Sequence, residues 1–309
     1  MKRKSTVLIT GATGFTGKYV IESVLRNSYI AVATGQSEQP SQPLAATRPE
    51  DELNYVRLDL TDPEQLRSVL KRYEPDYVIH LAGLSDPTHK NPIDYYAINV
   101  VGSINLLEAL ADQTWIPQKV VISSTALVYR PQSRPLEEND DLHTYNHYGL
   151  SKLLLEKSSR NYSQKFPIVI ARPFNYAGVG QPKRNILPKL INFIKHEQGK
   201  VSLDNLAIFR DYSDVRFVAD AYVQLLQAKT ESFDVVNICS STAFSFRDLL
   251  KILSDISQAE TEICQTGKFE RNTNINYLCG NNNKLLKLCP NIDRKSIYET
   301  LDWMYKEAS

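Results

Sequence analysis

Three glycines, Gly11, Gly14 and Gly17, stand three residues apart, following an apolar run at residues 6–9 and opening an amphipathic stretch at residues 16–26. A chain that turns sharply out of a strand and lets its backbone approach another group does so where no Cβ intervenes. The helix that follows directs its first amides and the positive end of its dipole back toward the turn, which makes a ready anion site. A glycine pattern alone is weak. Its place directly after a strand and at the opening of a helix separates a dinucleotide turn from an ordinary glycine-rich loop. The segment Gly11-Ala12-Thr13-Gly14-Phe15-Thr16-Gly17 is therefore expected to carry a pyrophosphate, with Gly11, Thr13, Gly14, Phe15, Thr16 and Gly17 around it.

The same alternation of short apolar runs and amphipathic stretches recurs at residues 29–33, 56–58 then 63–73, 77–82 then 92–110, and 119–123. Alternation of this kind builds parallel βαβ units. The expected fold class is α/β: a doubly wound parallel Rossmann sheet with a smaller C-terminal substrate-binding lobe. Residues 1–172 form the dinucleotide-binding domain, which can regain short later segments, and residues 173–309 form the second lobe. Residues 36–52, rich in Ser, Gln, Pro and Ala and without periodicity, are expected to be an exposed loop in place of a crossover helix. A helix from Tyr148 to about residue 165 leads into a strand at 168–171, after which loops with short helices take over.

Composition excludes several classes. Thirty-six lysines and arginines face 35 acidic residues, so no basic excess exists to draw nucleic acid or an anionic membrane. Behind Met1-Lys2-Arg3-Lys4 the apolar run is only Val7-Leu8-Ile9, and nothing later approaches the roughly 18 apolar residues of a membrane span. A cytoplasmic protein is expected. Cys239, Cys264, Cys279 and Cys289 form no CxxC pair and no zinc-ligand spacing, which points to free thiols in a reducing compartment and to no metal.

Tyr148 and Lys152 are four apart at the start of a helical stretch and so share a face. A tyrosine of pKa about 10 is a poor proton shuttle at neutral pH, and a neighbouring ammonium stabilises its phenolate and lowers that value. The spacing is common on surface helices. It gains weight from Ser123-Ser124-Thr125, which follows the strand at 119–122, where a hydroxyl can polarise a carbonyl. At the end of the second strand, Ala33-Thr34-Gly35-Gln36-Ser37 offers no carboxylate to repel a phosphate, and Gln36 and Ser37 can hydrogen-bond one. NADP(H) is favoured on that ground, with NAD(H) as the alternative.

On these motifs the chain resembles the short-chain dehydrogenase/reductase superfamily. With His80-Leu81-Ala82-Gly83, Asn99 and Arg172-Pro173-Phe174-Asn175 it resembles, over nearly its whole length, the extended members that act on nucleotide sugars. The resemblance implies that Asp59 and Leu60 meet the adenine, the other reading of Asp59 being a helix cap before Pro63. It implies that Leu81, Ala82, Gly83, Asn99, Ser123 and Arg172 join Tyr148 and Lys152 around the coenzyme, and that Thr125 is the catalytic hydroxyl. Arg130 follows Tyr129 where relatives usually carry glycine. Ala126-Leu127 is apolar where the family's 4,6-dehydratases carry acids for the extra proton transfers, so dehydration is not expected. Ketone reduction, or epimerisation through a transient ketone, remains.

Residues 203–216, Leu-Asp-Asn-Leu-Ala-Ile-Phe-Arg-Asp-Tyr-Ser-Asp-Val-Arg, resemble the GNLxxxRDFTDVRD element of reductases that make GDP-rhamnose from GDP-4-keto-6-deoxy-mannose. On that resemblance Arg210 and Arg271 match positions at the diphosphate or ribose, which suits an arginine fork. Ser85, Thr125, Asn175, Lys189 and Asn205 are implied as further substrate contacts. Taken alone, the arginine–aspartate run reads as a surface ion-pair network. The loop Gly178-Val179-Gly180-Gln181 is followed by Pro182-Lys183-Arg184, whose two basic residues the relatives lack. The expected activity is NAD(P)H-dependent reduction of the C4 ketone of a GDP-4-keto-6-deoxy hexose or heptose. An epimerase that returns hydride to tightly held NAD, and a non-enzymatic dinucleotide sensor, are the alternatives. A homodimer is implied through helices 92–110 and 148–165, with Ile104, Leu107 and Leu153 as candidate contacts.

Overall fold

Strands whose residues are apolar on both faces can only be covered on both faces, and β1 (Thr6–Thr10) is buried at every position. In this computed structural model the described residues are 3–40, 44–45, 48, 50–86, 89–196, 200–203, 208–258, 262–265 and 275–308, with the side chains of 200–203 and 262–265 outside the description. After β1 come α1 (Phe15–Arg26), β2 (Ile30–Gly35), β3 (Leu53–Arg57), α2 (Pro63–Tyr73) and β4 (Tyr77–His80). Next are α3 (Pro92–Tyr96), a π-helical turn (Ala97–Gly102), α4 (Ser103–Ala111), β5 (Lys119–Ser123), α5 (His147–Ser159) and β6 (Ile168–Pro173). The later chain adds β7 (Asn175–Ala177), α6 (Ile186–His196), β8 (Lys200–Leu203), β9 (Phe209–Asp214), α7 (Val215–Gln227) and β10 (Phe233–Ile238). It closes with β11 (Ala243–Ser245), α8 (Phe246–Ser257), β12 (Glu262–Gln265), β13 (Tyr277–Leu278), α9 (Asn283–Leu288) and α10 (Ile297–Glu307).

Seven parallel strands in the order β10-β6-β5-β4-β1-β2-β3 form a Rossmann-like sheet. The order reverses direction at β1 and β4, which opens a crevice beyond their carboxyl ends. On one face α1 packs with α7, through Val20, Ile21 and Val24 against Val218, Tyr222 and Leu225. On the other, Leu66 and Leu70 of α2, Leu106 and Leu110 of α4 and Leu155 of α5 cover Val78, Val120 and Ile170. Thus α7 and β10, which follow residue 172, complete the dinucleotide sheet. A separate core gathers Leu190 of α6, Leu250 of α8 and Leu301 of α10. Beside it, β9 pairs with β7, β11 and β13.

Local chemistry sets the boundaries. Asp62 caps α2 by accepting from the amides of Glu64 and Gln65, with Pro63 in the first turn. No helix occurs among the described residues between β2 and β3. Three expectations shift: β3 starts at Leu53 rather than residue 56, α5 stops at Ser159 and passes into a 3-10 turn at Arg160–Tyr162, and the stretch 92–110 is broken by the π-helical turn. Leu107 is corrected as a contact candidate, because it is only 1 % exposed and packs on its own sheet. Ile104 and Leu153 are half-buried. Ile93, Val101, Leu150 and Leu154 are the large apolar side chains that these helices leave exposed. No helix among the described residues is long and apolar enough to cross a membrane.

The junction of β1 and α1 has no slack. A Cβ built at Gly17 would sit 2.5 Å from the carbonyl oxygens of both Gly11 and Ala12. Gly17→Ala is expected to destabilise the protein by about 1–3 kcal/mol through backbone displacement. Denaturant unfolding checks this, and an unchanged midpoint would mean that the turn yields freely.

Candidate active site

Gly11 has φ +71°, in the left-handed region that favours glycine. A Cβ there would lie 2.6 Å from the Ala82 amide nitrogen, so the turn is pressed against the chain leaving β4. Leu81 N donates to Thr10 O at 3.1 Å and Ala82 N to Thr10 Oγ1 at 3.2 Å, which locks the two strand ends together. Gly14 caps α1 in extended geometry with no side-chain cap bond, and the first turn holds no acid. The opening amides and the positive end of the helix are thus left to an external anion. Thr13 and Gly14 are exposed beside them. This cradle fits the pyrophosphate of a dinucleotide. Thr16 Oγ1 lies 2.8 Å from Tyr176 Oη, and Phe15 stacks on the Tyr176 ring at 6.0 Å.

Where β2 ends, Gln36 is exposed. Arg57 on β3 donates from Nε to Gln36 O at 3.2 Å and from Nη1 to Glu38 at 2.7 Å. The expectation of no carboxylate here is corrected: Glu38 stands one residue beyond Ser37, drawn in by Arg57. Asp59 accepts from Thr61 N at 2.9 Å and Thr61 Oγ1 at 2.7 Å, and these bonds hold its carboxyl below the usual range. The cap of α2 is Asp62, so Asp59 is not the cap. Leu60 is buried, and its carbonyl accepts from Asn105.

The reacting end is built by α5 and by the chain leaving β5. Asn146 caps α5 by accepting from Gly149 N at 2.7 Å, which places Tyr148 and Lys152 on successive turns facing inward. Both are buried. The Thr125 hydroxyl lies beside the Tyr148 phenol and favours its anionic form. Lys152 Nζ donates to Ser123 O at 2.8 Å. A Cβ at Gly83 would lie 2.9 Å from Asn99 Oδ1 and 3.3 Å from Lys152 Nζ, so both polar heads converge under the loop after β4. Asn99, in the π-helical turn, accepts from Leu84 N at 2.7 Å and donates to Leu84 O at 3.0 Å and Ser151 Oγ at 2.9 Å. His80, bonded to Thr10 and Ser103, is held neutral by burial, its pKa lowered to about 3.

Burial dominates the electrostatics. It pushes the Tyr148 phenol well above the ordinary tyrosine range, against the opposing bond from Thr125. It lowers Lys152 to about 8, against the pull of Glu156. The sequence-based expectation is that Lys152 draws the phenol down; burial is the dominant influence on Tyr148 in this structure and acts in the opposite direction. Arg172 is also corrected. It is 3 % exposed, donating to Glu156 from Nε at 2.9 Å and Nη2 at 2.6 Å, with its guanidinium 4.7 Å over the Tyr129 ring. Ser124 donates to the same Glu156, so the Arg172 guanidinium is turned into this buried bridge rather than toward the surface. Arg130, at the family's glycine position, needs no left-handed backbone: its amide donates to Asp141 O at 2.8 Å in an extended pairing.

On the substrate side, Ser85, Asn175 and Lys189 are exposed. Lys189 shares a hollow with Lys183, Pro188, Asn192 and Phe193. Arg210 donates to Phe209 O at 2.8 Å and Ile275 O at 2.7 Å. Asn205 and Arg271 lie outside the described residues. The surface-network reading of the arginine–aspartate run fails, because Asp211 and Asp214 are 0 % and 1 % exposed. Asp211 accepts from Ser240 and Ser241, while Asp214 caps α7 and pairs with Arg216 at 2.7 Å. Arg184 pairs with Asp86 at 3.4 Å. Two tyrosines were missed. Tyr176 follows Asn175 directly, and that adjacency was the available signal; Tyr222 donates to Ser123 Oγ at 2.8 Å and carries no local signal.

Residues 7–239 match the model of the NAD dependent epimerase/dehydratase family. The chain is 31 % identical over 302 residues to GDP-6-deoxy-D-talose 4-dehydrogenase of Aggregatibacter actinomycetemcomitans, covering 97 % of each. It is 30 % identical over 270 residues to GDP-6-deoxy-D-mannose reductase of Pseudomonas aeruginosa, covering 84 % of this chain and 82 % of that protein. The solved structure of RMD from Pseudomonas aeruginosa complexed with NADPH superposes with a TM-score of 0.80 at 25 % identity, over 98 % of this chain and 97 % of that one.

The lowered lysine is directly measurable. Lys152 is expected to be an ammonium below pH 8 and to lose its proton as the pH rises through about 8, before surface lysines do near 10.4. Nitrogen-15 lysine NMR, with the signal assigned by its loss in Lys152→Met, checks this. Titration of that signal with the surface lysines would contradict the burial argument.

Proposed function

This chain belongs to the NAD dependent epimerase/dehydratase family, and from that membership we propose that it reduces the C4 ketone of a GDP-4-keto-6-deoxy sugar, hexose or heptose, with NADPH. The observation that carries this reading is the convergence of buried Thr125, Tyr148 and Lys152 where the chain leaves β5. The bound coenzyme supplies hydride. Thr125 orients and polarises the carbonyl oxygen, and Tyr148 Oη delivers the proton to it. The Lys152 ammonium then stabilises the phenolate left behind. Ala126 and Leu127 carry no acid for dehydration.

Gly11, Thr13, Gly14, Phe15, Thr16 and Gly17 take the pyrophosphate in this reading, Gln36, Asp59 and Leu60 the adenosine, and Leu81, Ala82, Gly83, Asn99, Ser123 and Lys152 the nicotinamide half. Ser85, Asn175, Lys189, Asn205, Arg210 and Arg271 take the sugar nucleotide. The GDP-sugar names of the two relatives and the NADPH in the solved structure support this assignment. Mass spectrometry of a panel of nucleotide 4-ketosugars, with NADPH and with NADH, tests it. A gain of two hydrogens on a GDP-4-keto-6-deoxy sugar, matched by NADPH consumption, is expected; an isomer formed without net coenzyme use would establish the epimerase instead. In the same assay Tyr148→Phe should lose on the order of a hundredfold or more in turnover, with coenzyme affinity kept within a few-fold. Retention of more than about a tenth of the activity would remove Tyr148 from the proton-transfer role.

We also propose a homodimer through α3, the π-helical turn, α4 and α5, where Val101, Leu150 and Leu154 stand 51 %, 37 % and 40 % exposed. Light scattering at micromolar concentration should give twice the chain mass, and Leu150→Glu with Leu154→Glu should halve it. A wild-type monomer refutes the assembly.

A further inference from the structure

Arg57 is the last residue of β3 and the parallel partner of Gly35, the last of β2. Tyr55, two residues earlier and so on the same face, donates from Oη to Ser37 O at 2.8 Å. A Cβ at Gly35 would lie 2.8 Å from Tyr55 Oη and 2.9 Å from Thr13 Cγ2, so this face is the one that carries the glycine turn. Arg57 therefore stands at the carboxyl ends of the strands, beside the turn, with Nε on Gln36 O and Nη1 on Glu38.

In parallel α/β sheets this is where the adenosine ribose of a dinucleotide lies: a carboxylate there accepts from a 2′-hydroxyl and an arginine pairs with a 2′-phosphate. Here both groups are present and hold each other at 2.7 Å, the guanidinium 51 % and the carboxylate 78 % exposed. An ion pair this exposed is weak, so a stronger anion can break it. A phosphate, with more charge than a carboxylate and oxygens matched to the guanidinium fork, is such an anion.

We propose that Arg57 is the residue that recognises the 2′-phosphate of the coenzyme's adenosine, and that Glu38 is the internal ligand the phosphate displaces. The inference rests on the NADPH reading given above. Calorimetric titration of the full chain with ADP-ribose and with its 2′-phosphate isolates this contact from the chemistry. Arg57→Ala should weaken the phosphorylated fragment by about tenfold or more and leave ADP-ribose within about twofold. Glu38→Gln should tighten the phosphorylated fragment by about threefold or more, since the competitor is neutralised. Equal weakening of both fragments by Arg57→Ala, no change in either, or weakening of the phosphorylated one by Glu38→Gln would overturn the assignment. A wild-type protein that prefers ADP-ribose would sink the NADPH reading, while the change produced by Arg57→Ala still decides the role of Arg57.

Discussion

One buried ion pair fixes the reacting end of this protein. Glu156, one helical turn after Lys152, receives two donors of Arg172 from β6 and the hydroxyl of Ser124 at the end of β5. Both charged side chains are about 5 % exposed or less, so neither can leave without stranding the other in a medium that does not solvate it. Through this bridge α5 is held to two adjacent strands, and Thr125, Tyr148 and Lys152 take their positions from it. The same guanidinium stacks over Tyr129, whose hydroxyl reaches Asn237 on β10 at 2.7 Å. Three strands and one helix thus share this polar anchor.

That dry setting also determines how the ionisable groups behave. Desolvation disfavours whichever form carries charge, so it keeps the proton on the phenol and loosens it on the lysine. Glu156 works against this for Lys152, being the nearest negative charge on the same helix. The anchor that positions the lysine thereby helps to keep it cationic. Structure and electrostatics of the site have one source.

Much of this was legible in the chain because it is local. The glycine turn, the strand before it and the helix after it lie within neighbouring residues, and Tyr148 and Lys152 share a helix face by spacing alone. What was not legible depends on residues far apart in sequence that the parallel sheet brings together. Arg57 meets Gln36 and Glu38 only because β2 and β3 run side by side, and reading along β2 alone stopped at Ser37. Tyr222 reaches Ser123 from α7, and Arg172 turns inward because Glu156 is waiting there. The resemblance placed Arg172 near the coenzyme but could not say which way its guanidinium points. The residues of the arginine–aspartate run looked like surface charge for the same reason: burial is a property of the fold, not of the letters.

The π-helical turn at Ala97–Gly102 explains another misjudged face. An uninterrupted α-helix places Ile93 and Leu107 on one side, since fourteen positions make close to four turns of 3.6 residues. Here they differ completely: Ile93 is 69 % exposed and Leu107 is 1 % exposed. A π turn inserts an additional residue, which rotates everything after it by roughly 100° relative to everything before. The insertion lets Asn99 reach Leu84 while the following leucines keep to the sheet. In this stretch the number of residues is as much a structural parameter as their identity. An alignment that closes a one-residue gap here, or a helical wheel drawn straight through it, would exchange the solvent face for the core face.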